Sequence, residues 1–200
     1  MELGRVGVWS GQLGRMPAAE ARKAVVAIEE LGFRTVWYPE GAGKEAMAQA
    51  AILLAVSHDI VAAPGIANLW ARDAMAMING ARTLLDAFPG RFLLRVGVSH
   101  APSIARRGHE YSRPLTTMRT YLEDMEAAPY VGPPPPSQPE IVLAALGPRM
   151  LCLAAERTRG AHPRSPPLLR AGGAHHLRTR RVGAGPATRP RAGRGAGNRS

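Results

Sequence analysis

Acidic residues are missing from the last fifth of this chain. Residues 161–200 hold nine Arg and no Asp, Glu or Lys, whereas residues 1–160 hold 17 Lys and Arg against 15 Asp and Glu. The net charge of +11 therefore comes almost wholly from the tail. Such a charge would ordinarily point to a polyanionic partner, but for the near-neutral body that inference fails. Cysteine is also scarce. Cys152 is the single one, so no intramolecular disulfide can form and a reducing, cytoplasmic compartment is expected. No apolar run reaches the roughly 20 residues of a membrane helix. The N-terminus, Met1-Glu2-Leu3-Gly4-Arg5, lacks a basic segment followed by an apolar one. No G-x-G-x-x-G follows the first strand-like run, which removes the main support for a dinucleotide fold. No His, Asp and Glu cluster falls at ligand spacing, so no metal is expected.

What is present is a regular alternation of strands and helices. Two hundred residues at 46% hydrophobic content are enough for one domain with a core. Strand-like runs are Arg5–Trp9, Phe33–Tyr38, Asp59–Ala63, Phe92–Val98 and Ile141–Leu146, and Gly160-Ala161-His162 opens a sixth. Between them, apolar residues recur at helical spacing: Ala21, Ala24, Val25, Ile28 and Leu31 after Pro17, then Met47, Ala50, Ala51 and Leu54 within 44–56. Asp73 is placed to cap a helix to Ala87, Pro114 to start one, and Gly147-Pro148 to start another ending near Arg157. The stretch between Val98 and Pro114 reads as irregular. Cys152, between Leu151 and Leu153, and the pair Met75 and Met77 read as packing residues.

Apolar strands separated by helices signal an α/β protein with a parallel sheet covered on both faces. Either an open doubly wound sheet or a (β/α)8 TIM-type barrel fits. A complete barrel needs eight units, and here the count stops between five and six. From Arg164 onward, Arg, Gly, Ala and Pro supply 26 of 37 residues. A segment so poor in apolar side chains is expected to be disordered. The chain thus divides into a partial barrel, 1–163, and a basic tail, 164–200.

In such folds ligands gather beyond the C-terminal ends of the strands. The residues there are Trp9, Ser10, Tyr38, Glu40, Asn68, Trp70, Ser99, His100 and Leu146 to Arg149. Flat aromatic surface with one carboxylate and one imidazole suits a planar cofactor or aromatic substrate. His100, in Gly97-Val98-Ser99-His100-Ala101-Pro102, is a candidate general acid or base, or else a histidine bonding loop backbone. Glu40 either orients substrate or shuttles a proton, or else is a solvated loop charge. Gly147, Pro148 and Arg149 join strand to helix where free N–H groups attract phosphate. Pro64-Gly65-Ile66-Ala67-Asn68 is either a bulged strand end close to a ligand or a plain turn.

The stretches RVGVWSG, LGFRTVWYPEG, PGRFLLRVGVSHAP, RPLTTMRTYL and VLAALGPRMLCLAAERTRGAHP, in this order, resemble the luciferase-like flavin and deazaflavin oxidoreductases. The likeness is greatest to the actinobacterial subgroup that uses coenzyme F420, and it covers residues 1 to about 163. It implies a (β/α)8 barrel with the deazaflavin at its C-terminal mouth, FMN being the alternative cofactor. It implies a bulge with a non-proline cis peptide within Gly65, Ile66, Ala67 and Asn68, and cofactor contacts from Ser99, His100, Leu146, Gly147 and Arg149. Trp9, Ser10, Tyr38 and Trp70 would line a substrate pocket. The implied reaction is hydride transfer between C5 of the deazaflavin and an organic substrate, or flavin-dependent monooxygenation.

This chain departs from the family after GAHP, where Arg164-Ser165-Pro166-Pro167 replaces an apolar strand. Arg, Ala, Gly and Pro have GC-rich codons, so a frameshifted or truncated family member is expected. An unclosed barrel would then leave Val6, Val8, Val36 and Val96 facing inward without partners, inviting aggregation or a homodimer. Deazaflavin binding is expected to be weak or absent. Alternatively, the tail contacts nucleic acid or another polyanion, non-specifically, since it lacks the aromatics that stack on bases.

Overall fold

Every strand pairing in the computed structural model, which describes residues 1–162, is parallel. The tail expected to be disordered, 164–200, lies outside the described residues. β1 (Val8–Trp9) pairs with β2 (Thr35–Tyr38), and β2 with β3 (Val61–Pro64). A second ladder runs β4 (Ala67–Asn68), β5 (Leu94–Gly97), β6 (Ile141–Leu143), β7 (Gly160–Ala161). The two ladders are joined where Ala62 bonds across to the residues before β5: its N–H donates to Arg91 O at 2.9 Å and its carbonyl accepts from Leu93 at 3.1 Å. β3 and β4 are therefore one barrel strand interrupted at Gly65 and Ile66, its first half serving β2 and its second half β5. Among the described residues the sheet does not close: β1 and β7 each have a single neighbour.

Helices cover the outside. α1 (Ala18–Glu30) begins directly after Pro17, whose missing N–H costs nothing there, and ends before Gly32, which takes the left-handed φ of +84° that lets the chain reverse. α2 (Ala46–Leu54) is capped by Glu45, which accepts from Ala48 N–H at 2.7 Å. The 3-10 turn Leu69–Ala71 leads into α3 (Ala74–Ala87), capped by Asp73 through Ala76 N–H at 2.7 Å. α4 (Ala101–Ala105) is short, and α5 (Pro114–Ala127) and α6 (Pro148–Arg157) both start on proline. The Glu29 carboxylate ties α1 to the approach of β3 by accepting from the N–H groups of His58, Asp59 and Ile60 at 2.9, 2.6 and 3.0 Å.

Strand residues alternate between two buried layers. Val36, Tyr38, Ala62, Leu94, Val96 and Leu143 face the helices and join the larger cluster with Val25, Leu53, Met77, Leu85, Met118 and Leu122. Trp37, Val61, Ala63 and Leu93 face the barrel interior, with Trp9 and Val142 beside them. This corrects the inward assignment of three of the four valines. Val36 and Val96 point at the helices, and Val8, in register with Val36, points the same way, while Val6 lies before β1. The reason is that both faces of a helix-covered parallel sheet are apolar, so hydrophobicity does not mark the interior.

Four smaller expectations also change. Cys152 is exposed, because α6 turns Leu153 and Ala154 to the core and its neighbour 152 falls outside that stripe. Met77 is fully buried as expected, but Met75 is 50% exposed on the opposite side of α3. Every described peptide bond is trans, including those within Gly65 to Asn68, where a cis bond was implied. The stretch read as irregular contains α4, a helix too short to show a periodic stripe.

Candidate active site

The C-terminal ends of the strands open into one cleft of about 1760 Å3. A site for a single small ligand usually measures roughly 300–1,000 Å3, so this one has room for a cofactor and a substrate together. Its walls come from each strand end in turn: Trp9, Glu40, Gly65 with Ile66 and Asn68, Val98 to His100, and Ala144 to Met150. Arg106, Arg107 and Tyr111 line it between α4 and α5, and Arg95 and His162 line it from the barrel interior.

Of the residues placed at the site from sequence, His100, Glu40, Trp9, Gly65, Ile66, Asn68, Ser99, Leu146, Gly147 and Arg149 all reach this cleft. Four do not border it. Ala67 is buried against the helix layer. Tyr38 is 1% exposed on that same outer side, its hydroxyl donating to Ala46 O at 2.9 Å. Burial, and after it Glu45 and Glu40, drive this phenol well above the ordinary tyrosine range. Ser10 holds the end of β1 through its N–H to Trp37 O at 2.9 Å. Trp70 braces the end of β5, donating from Nε1 to Val98 O at 3.1 Å, and its ring lies 5.4 Å from that of His109.

Glu40 is neither a free proton carrier nor a solvated loop charge. Its side chain is 3% exposed and pairs with Arg72 through both oxygens, one at 3.1 Å. The same oxygens accept from Asn68 N–H at 2.8 Å and Ala46 N–H at 3.2 Å. The carboxylate thus ties β2, β4 and α2 together at the mouth. Burial acts to lower the Arg72 pKa, but the bond to Glu40 and the charges of Glu40 and Glu45 outweigh it and hold the guanidinium above its usual value. Tyr121 of α5 closes the network by donating to the carbonyls of Arg72 and Asp73 at 2.9 and 3.0 Å. Lys44 is committed in a similar way, to Leu13 O and Met16 O at 3.0 and 2.7 Å.

His100 sits exposed at the rim as the residue before α4, its Nε2 3.1 Å from Ser103 Oγ. Ser99 before it holds a left-handed φ of +58°. A serine pays for that conformation, and such strain persists where the surroundings fix it, often at binding sites. Leu146 stands 75% exposed beyond the end of β6. Pro148 opens α6 without an N–H, and the N–H groups of Met150 and Leu151 both donate to Gly147 O at 3.1 Å, so Arg149 carries the first N–H of the helix that can point to a ligand.

Sequence inspection passed over Arg95 and His162. Arg95 is 7% exposed, its Nη2 donating to His162 O at 3.0 Å. Burial lowers its pKa to about 10, which still leaves it charged at neutral pH. His162 is 5% exposed, its ring centroid 4.5 Å from that of Trp37. Burial first, then Arg95, brings its pKa down to about 4. Arg95 shares its face with Leu93, two residues earlier, but the sequence carries no signal of which face of that strand points inward.

Comparison with known proteins agrees with this architecture. The family description "Luciferase-like monooxygenase" matches residues 2–193, reaching past Pro163 into the compositionally distinct segment. The split at 163/164 thus stays a proposal resting on composition. The chain is 29% identical over 126 residues to Rv3520c of Mycobacterium tuberculosis, which bears the name coenzyme F420-dependent oxidoreductase; the match spans 62% of this chain and 36% of that one. Among solved structures it resembles an F420-dependent secondary alcohol dehydrogenase in complex with an F420-acetone adduct, with a TM-score of 0.69 and 16% identity over 78% of this chain and 57% of the other. It also resembles the FMN-bound oxygenating constituent of 3,6-diketocamphane monooxygenase from Pseudomonas putida, with a TM-score of 0.63 and 15% identity over 80% and 56% of the two chains. The chain therefore spans about a third of the curated relative's length and a little over half of each solved chain. With its parallel strands, its cleft at their C-terminal ends and a family match over nearly all of its length, the chain belongs to the luciferase-like monooxygenase family.

Proposed function

We propose that the cleft at the strand ends holds a deazaflavin, coenzyme F420, and that the chain belongs to an oxidoreductase working by hydride transfer to or from a small organic substrate. The observation that carries this reading is the convergence on one cleft of an interrupted strand (Gly65, Ile66), a strained strand end (Ser99) and a helix N-terminus (Gly147 to Arg149). The fit is chemical as well as spatial. Ile66, Val98 and Leu146 offer apolar surface to a flat ring, while the guanidinium groups of Arg106, Arg107 and Arg149 and the Arg149 N–H at the start of α6 offer donors to a phosphorylated side chain. The bound deazaflavin would supply the hydride-carrying carbon.

The protein's part is position and protons. His100, at the rim, is the group able to give or take a proton at Nε2, with Ser103 Oγ fixing the ring. Glu40 and Arg72, themselves in the cleft wall, act by holding the mouth in shape. The dehydrogenase and the curated relative named for F420 favour deazaflavin, and the FMN-bound neighbour is the reason to test the flavin alongside. Homodimerisation across the edges of β1 and β7, each with a single neighbour among the described residues, is the arrangement that would enclose the cleft.

The test is a titration of the chain with coenzyme F420 and, separately, FMN. Saturable binding with F420 favoured, weakened several-fold in Arg149→Gln, is expected. Preference for FMN would move the assignment to the monooxygenase branch, and saturation by neither ligand on a folded chain would overturn it.

A further inference from the structure

Arg95 is a buried cation that nothing among the described residues neutralises. The described ion pairs all use other cations, and burial is the sole cause of its lowered pKa. Of the five donors on a guanidinium, Nη2 reaches His162 O, while Nε is buried without a partner. A charge withdrawn from water in this way costs several kcal/mol unless an opposite charge meets it. The sequence after Glu156 contains no Asp or Glu that could do so.

The guanidinium faces the cleft beside Gly65. A Cβ placed on Gly65 would lie 3.1 Å from Trp9 Nε1 and 3.3 Å from Arg95 Nη1. Two N–H donors thus converge on the space that glycine leaves free, and Trp9 Nε1 makes no hydrogen bond among the described residues. Trp9 itself packs on the buried apolar cluster of Val61, Ala63, Leu93 and Trp37 beneath. A planar acceptor with two oxygens and an organic body suits this recess, since the fork of an arginine matches a carboxylate.

We infer that Arg95 and Trp9 Nε1 form a receptor for an organic carboxylate at the floor of the cleft. That the carboxylate belongs to the substrate rests on the oxidoreductase reading above. The substrate would then enter acid end first, with its reducible carbon left nearer the strand ends where Ser99 and His100 lie.

The receptor is tested on the whole chain by titration with benzoate, with benzamide as its neutral counterpart and inorganic phosphate as a compact anion, following tryptophan fluorescence. Benzoate is expected to saturate at concentrations at least tenfold below benzamide and phosphate. Gly65→Ala, which fills the recess and leaves the charge, should weaken benzoate at least tenfold, and Arg95→Gln should do the same. Should Arg95→Gln not fold, Gly65→Ala and the benzamide comparison decide alone. Benzoate no tighter than benzamide, phosphate as tight as benzoate, or full binding in Gly65→Ala would each overturn the receptor. Repeating the titration with coenzyme F420 present separates the two claims. Joint binding supports both, and displacement of benzoate by F420 assigns Arg95 to the cofactor and overturns the proposal. Benzoate binding with no F420 binding upholds the receptor and removes only the oxidoreductase reading.

Discussion

Glu40 and His100 stand at the same cleft and do different work. Glu40 is enclosed and satisfied on both oxygens, so removing it leaves Arg72 with the half-exposed Glu45 as its one remaining described ion-pair partner and takes the acceptor from the N–H groups of Asn68 and Ala46. Glu40→Ala is expected to cost roughly 3–5 kcal/mol in urea unfolding, whereas His100→Ala, at an exposed rim position, should change stability by less than about 0.5 kcal/mol. Equal small losses would mean that the Glu40–Arg72 pair does not hold the mouth. His162 gives a second check at this scale. Its pKa is about 4 in the fold against 6.5 when free, so the fold favours the neutral ring. The stability this confers is complete above pH 6.5, is lost as pH falls towards 4, and is constant below that. The loss should be of the order of 2–3 kcal/mol, measured as urea midpoints across that window, and His162→Leu should flatten it. Glu29 acts lower: burial opposes, but three backbone N–H groups outweigh it and depress its pKa, so its contribution fades below the ordinary carboxylate range.

The helices and strands were legible because their punctuation is local. Pro17, Asp73, Pro114 and Gly147-Pro148 mark helix starts through φ restriction and capping, and the structure starts helices at each. Asp73→Ala should therefore cost about 1 kcal/mol, read as a lowered unfolding midpoint with the unfolding slope unchanged; no change would show the cap to be dispensable. What could not be read was which face of each strand points inward. Val36 and Trp37 are both buried, one under helices and one in the barrel, and neighbouring residues of a doubly covered strand carry no polarity contrast. Arg95 was missed for that reason. An arginine in an apolar strand reads as outward-facing, yet here it enters the interior. Glu40 lines the cleft, but its partner Arg72 lies 32 residues away in a turn that no local pattern connects to it.

At the scale of the whole molecule, order and direction of the strands determine where a ligand can sit. Six successive barrel positions, the third shared by β3 and β4, send their C-terminal ends to one side, and the cleft follows. That much was visible from the alternation of elements and the family resemblance. Among the described residues, the cationic groups that line the cleft are Lys44 and five arginines, Arg72, Arg95, Arg106, Arg107 and Arg149. The central claim is that this cleft is a deazaflavin site. Its most direct test is equilibrium titration of the 200-residue chain with coenzyme F420, followed by the deazaflavin absorbance and by tryptophan fluorescence. A saturable one-to-one isotherm, weakened by Arg149→Gln and tighter than that for FMN, is predicted. A folded chain that gives no saturation with F420, or that prefers FMN, would contradict it.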